Sequence, residues 1–165
     1  MRFVVTGEWS RNRLLQTIVV LYVVYVGGLW VTNGALYFNK MSLTPSSVVE
    51  YYLGNEETFK QPRTYQGLLE VAHFHLFAMG MLLLVLTHLM LFVPVGSGTK
   101  LVLIVLPFIA ALVSEGGGWL VRFVHPAFAW VKISGFLLLQ GSLLALMVIS
   151  LWAIFVGSSE NYTSE

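Results

Sequence analysis

The sequence predicts an all-α fold: an integral membrane four-helix bundle with a short interfacial helix in its first loop. Two observations carry this prediction. Of 165 residues, 57% are hydrophobic and 10% charged, with a mean hydropathy of +0.79, more apolar surface than a soluble domain of this length can hide. Those residues also concentrate in four stretches, approximately 14–33, 66–93, 100–118 and 126–156. Each approaches or exceeds the roughly 20 residues that cross a hydrocarbon core. Backbone polar groups in lipid must satisfy one another, so each stretch is read as a helix. The chain 1–165 is therefore taken as one four-span domain.

The first span follows Arg11 and Arg13 and runs on through Gly27-Gly28-Leu29-Trp30. That apolar run is too long for a cleavable leader, so it is expected to be retained. The outer loop, 34–65, holds Thr44-Pro45-Ser46-Ser47, a hydroxyl cap with proline at the first helical position. Val48, Val49, Tyr51 and Tyr52 follow, and Gly54 is placed to end the helix. Its tyrosines suit headgroup depth. Thr64 is the expected cap of the second span, and Pro94 its stop. A short loop, Val95 to Thr99, makes spans two and three antiparallel neighbours. The third span contains Pro107, and Gly116-Gly117-Gly118 are expected to unwind its outer end. His125-Pro126 opens the fourth.

An even number of spans places both termini on one side. Arg2, Arg11, Arg13 and Lys100 favour the cytoplasm for that side, although Lys40, Lys60, Arg63, Arg122 and Lys132 lie toward the other. The chain has no cysteine, which excludes disulfides, thiolate metal sites, iron–sulfur ligation and covalent haem attachment. Net charge is +1 with no basic run, so nucleic acid is not an expected partner. Asn161-Tyr162-Thr163 spells a glycosylation sequon, but this topology places it in the cytoplasm.

Chemistry is concentrated in four histidines. His73, His75 and His88 share the second span, and His125 opens the fourth. Ionisable side chains at membrane depth are expensive and mark functional sites by default. On a regular helix Glu70 and His88, 18 residues apart, share a direction. His73 lies about 60° from them and Gly80 about 80°, whereas His75 points about 140° away. This polar stripe is expected to face the bundle interior. His73 and His75 cannot then aim at one point, and His73 becomes the better ligand, with His75 supporting it or facing the loop.

His73 and His88 are 15 residues apart, about 22 Å along the axis and so near opposite membrane faces. This arrangement resembles that of membrane b-type cytochromes, which place two histidines on one helix and use small residues such as Gly80 to admit a porphyrin. The resemblance implies haem b, with His73 and His125 as axial ligands and Arg63 and Arg122 on the propionates. His88 would be a second ligand site or a quinone-side residue, since the chain offers it no second histidine. A rival reading places copper, zinc or iron in a mixed site of Glu70, His73, His75, His88, His125 and Glu115.

Plainer readings stand beside these. His73 or His75 can simply bond Glu70 or the loop, His125-Pro126 can be a cap, and Glu115 can pair with Lys132. The glycines can serve packing alone, and the whole chain can be a cofactor-free accessory subunit.

The segment Leu68-Leu69-Glu70-Val71-Ala72-His73-Phe74-His75-Leu76-Phe77-Ala78-Met79-Gly80, with Leu86-Thr87-His88-Leu89, resembles uncharacterised bacterial inner-membrane proteins of this length. Tyr51-Tyr52-Leu53-Gly54 and Gly118-Trp119-Leu120-Val121-Arg122 extend the resemblance from Leu43 to Trp130. It implies a fold and an inner-membrane location, and no activity. The leading expectation is an electron-transfer subunit of a larger redox complex, not catalytic alone. Its expected partners are the lipid bilayer and other redox subunits, with quinone, cytochrome c or a second copy of the chain as further possibilities.

Overall fold

A computed structural model describes residues 13–156. Arg2, Arg11 and the Asn161 sequon lie outside the described residues. Five α-helices follow in order: α1 Arg13–Lys40, α2 Pro45–Leu53, α3 Tyr65–Leu89, α4 Ser97–Phe123 and α5 Ala129–Val156. Short 3-10 turns, Met90–Phe92 and Pro126–Phe128, continue α3 and precede α5. α1, α3, α4 and α5 are each long and apolar enough to cross a membrane. Short connections join α3 to α4 and α4 to α5, while the longer 41–64 segment between α1 and α3 carries α2 at one end of the bundle.

Several expected signals appear in place. Thr64 Oγ1 accepts from the Gly67 amide at 3.1 Å and caps α3. Gly54 ends α2 with φ 81°, its amide donating to Glu50 O at 3.0 Å. A side chain there would strike Lys60 O and lie 2.9 Å from Pro62 N. Thr44 occupies the N-cap of α2 without a side-chain cap bond. Ser47 Oγ instead accepts from the Ser42 amide at 2.9 Å, and Thr44 Oγ1 meets Ser42 Oγ at 2.8 Å.

Two elements run longer than the sequence suggested. α1 continues past residue 33 to Lys40 because its last turns have a partner: Tyr37 stacks on Phe136 with centroids 3.8 Å apart and planes 11° from parallel. α4 passes unbroken through Gly116-Gly117-Gly118. The reason is packing. A Cβ on Gly117 would lie 2.8 Å from Lys132 Cα, one on Gly118 would strike the Tyr52 ring, and one on Gly135 would lie 2.6 Å from Ser114 N. Glycines on both helices let α4 and α5 meet backbone to backbone, the usual device where lipid supplies no hydrophobic drive for association.

The interior has two tiers. At the α2 end, Tyr37, Val48, Tyr52, Val121, Ile133 and Phe136 form one cluster. At the other end Val26, Leu83, Leu86, Met90, Leu146 and Ile154 form a larger one, which also holds Met147. Between them a polar clasp ties α1 to α5: Trp30 Nε1 donates to Gln140 O at 2.9 Å, and Gln140 Nε2 returns a bond to Trp30 O at 3.4 Å. Lys100 Nζ donates to Leu91 O at 2.8 Å, satisfying a carbonyl where α3 has ended.

Candidate functional site

The orientation of α3 decides which of its polar residues meet. Its buried positions are Leu68, Ala72, Leu83, Leu86 and Thr87. On a regular helix these lie about 160–260° from the Glu70–His88 direction. The ionisable stripe therefore points out of the bundle, the reverse of the expected inward stripe. Packing selected small and branched apolar residues for the interior. Glu70, His73 and His88 are all exposed. Glu70 Oε1 accepts from Gln66 Nε2 at 2.9 Å, His73 stands edge-on to Phe74, and His88 edge-on to Phe92. Thr87 turns inward and donates to Leu83 O at 2.7 Å.

His75, set 140° from that stripe by helical arithmetic, reaches α4 instead. Its Nδ1 lies 3.1 Å from Glu115 Oε2. With the proton on Nδ1, the carboxylate fixes the ring and leaves Nε2 free. This is the orientation that carboxylates impose on metal-binding imidazoles. Glu115 thus makes its close contact across α3 and α4 with His75, while Lys132 is near enough to interact with its charge. Lys132 Nζ donates to Ser114 O at 2.7 Å, one residue away on α4.

These groups share a cavity of about 340 Å³, lined by all five helices. His75, Glu115, Lys132, Lys40 and Asn33 supply polarity, while Leu76, Met79, Leu83, Phe108 and Leu139 form an apolar body. Gly80 also lines it, with open space where a Cβ would stand. Tyr51 and Tyr52 of α2 lie over one end. Burial pushes the Tyr52 hydroxyl well above its ordinary range, so it stays a neutral phenol at any physiological pH.

The remaining sequence candidates have other attachments. His125 Nδ1 accepts from the Ala127 amide at 3.1 Å, so this histidine caps the turn before α5. Arg122 Nε donates to Arg63 O at 2.8 Å, and the Arg63 guanidinium sits 4.1 Å above the Tyr51 ring. The two arginines together fasten the loop over the α2 end. Among the described residues no three of His, Cys, Asp and Glu gather as a metal cluster. His73 and His125 have separate partners, the Phe74 ring and the Ala127 amide. Lys132 and Lys40 were not singled out as cavity groups from sequence. The signal was available in Lys132, a lysine inside the most apolar span.

The sequence matches a family model described as a transmembrane helical domain over residues 42–161. The chain belongs to that family, Aq_1264_TM. The match opens just after α1 and takes in α2 through α5, with every residue of the His75–Glu115 pair and the outward stripe. No curated protein and no solved structure matches the chain.

Proposed function

We propose that this family member is a subunit of a larger assembly in the membrane, docking through the outward face of α3, and that His73 and His88 there ligate haem iron whose second ligands come from the neighbouring chain. One observation carries the reading: Glu70 and His88 point away from this chain's own core. Both lie toward the ends of α3, where the cost is below the ~2.5–3.5 kcal/mol of a mid-membrane charge, but ionisable residues in membrane helices are almost always covered by protein or water. A low-spin haem needs two axial ligands. His125 serves as a cap here, so the second imidazoles belong to a partner. Sites about 22 Å apart would carry electrons between the two membrane faces.

A second reading is favoured by the His75–Glu115 pair. Its free Nε2 suits copper, zinc or iron, with Glu115 orienting the ring and the remaining ligands supplied by a neighbour.

Both are tested on the particle released by mild detergent from the protein's source membranes, through its size, its oxidised-minus-reduced spectrum and its metal content. The expected result is a particle holding other chains and showing haem b bands, which His73→Leu and His88→Leu abolish. One bound metal without a porphyrin band would favour the second reading. A lone chain that gains stability from Glu70→Leu and His88→Leu would overturn the docking face.

A further inference from the structure

We infer that the cavity between the two tiers of the core binds a single-chain amphiphile with a carboxylate head, a long-chain fatty acid. The proposal is independent of what docks on the outer face of α3. It starts from a charge imbalance. Two ammonium groups, Lys132 and Lys40, line the cavity. The one carboxylate among its lining residues, Glu115, is committed to His75 at 3.1 Å. Neither lysine lies within salt-bridge distance of a carboxylate among the described residues, and Glu115, close enough to act on Lys132, is a single negative charge facing two ammonium groups. Lys132 Nζ gives one bond to Ser114 O, and an ammonium carries three N–H donors.

The cavity therefore carries a net positive charge beside apolar walls, and charge left uncompensated in such surroundings is costly. An anionic ligand head removes that cost, forming charge-assisted bonds with the remaining N–H groups. The rest of the cavity is apolar, with Leu76, Met79, Leu83 and Phe108 offering an alkyl chain a path away from the lysines. At about 340 Å³ the volume suits a small ligand and not a diacyl lipid. Entry from the bilayer is open: α1 and α3 both line the cavity yet pack only sparsely together. Leu36 and Leu76 on those walls are 56% and 53% exposed. Gly80 leaves the wall of α3 smooth at that point.

The test uses the full chain in phosphatidylcholine nanodiscs, with dibrominated stearate as probe, because bromine quenches tryptophan and Trp119 lines the cavity. Saturable quenching is expected from the carboxylate and not from its methyl ester, and it should disappear with Trp119→Phe. Lys132→Met should weaken binding by about tenfold or more, while Lys132→Arg retains it. Ala111→Trp, which fills the cavity with the charges intact, should block the carboxylate in a protein that still elutes as folded. Equal affinity for the ester, or for the protein with both Lys132→Met and Lys40→Met, would overturn the carboxylate assignment. No saturable quenching by either probe would overturn the site itself.

Discussion

Gly135→Ala should loosen the α4–α5 pair, and the structure sets the size of the effect. The added Cβ would lie 2.6 Å from Ser114 N and 2.8 Å from Ser114 Cα, where ordinary van der Waals contact begins at 3.4 Å. Both obstacles are backbone, so no side chain can swing aside and the helices must part along their closest seam. Overpacking of this kind costs about 1–3 kcal/mol. Alanine regains about 1 kcal/mol through its helix propensity, leaving a net loss of up to about 2 kcal/mol. Gly141, six residues on in the same helix, has nothing within 4 Å of its Cβ position. Gly141→Ala should therefore keep the propensity gain alone and be neutral or stabilising. Unfolding each variant by titrating SDS into mixed micelles, followed by tryptophan fluorescence, reads the difference. If Gly135→Ala matches Gly141→Ala, the close seam is not what holds α4 to α5. Equal losses in both would place the effect in helix flexibility instead.

Three other outcomes are expected. In the isolated chain His75→Leu should cost about 1–3 kcal/mol by stranding the Glu115 carboxylate, while His73→Leu should be neutral; the same titration compares them. Gln140→Leu should cost about 1 kcal/mol by removing the side-chain bond to Trp30 O and leaving Asn33 Nδ2 without its acceptor, while the indole keeps its bond to the residue-140 backbone carbonyl; the same titration reads the loss. At the α2 end, bonds from Lys60 and Thr58 hold the Glu50 carboxyl below its ordinary value of 4.5. A depressed carboxylate pKa contributes stability at neutral pH that is lost as pH falls through the folded value. Limited proteolysis of the 55–63 loop should therefore accelerate only in that acidic range, and Glu50→Gln should show the faster rate already at neutral pH.

Hydropathy and length were enough to read the four spans, and local chemistry was enough for Thr64 and Gly54. What the residues could not reveal was the absolute rotation of α3. Helical arithmetic separates His75 from Glu70 and His88, and that separation is real. Choosing which direction faces inward required a contrast between faces, and α3 is Leu, Val, Phe and Met nearly all round. The assumption that ionisable groups turn inward settled the matter from sequence. In the structure Ala72, Leu83 and Leu86 settle it the other way. The Gly116–Gly118 run misled for a related reason: glycine lowers helix propensity locally, but its small size matters more where Lys132 and Tyr52 press against it. Likewise, the final turns of α1 depend on Phe136, about 100 residues distant, and no local pattern announces that partner.

The tight seam between α4 and α5 also bears on how the protein is made. Synthesis runs from the N-terminus, so α1 and α3 leave the ribosome before the pair they rest against exists. Their 18-residue windows, each with a mean hydropathy of 2.0, are apolar enough to hold them in the bilayer alone. α1 finds its main support in α5, which emerges after α1 to α4. Until then the Trp30 indole and Asn33 amide wait in lipid for Gln140. Assembly is thus a closing step triggered by the α4–α5 hairpin. A chain halted before residue 125 would be inserted but not folded, a natural substrate for membrane quality control.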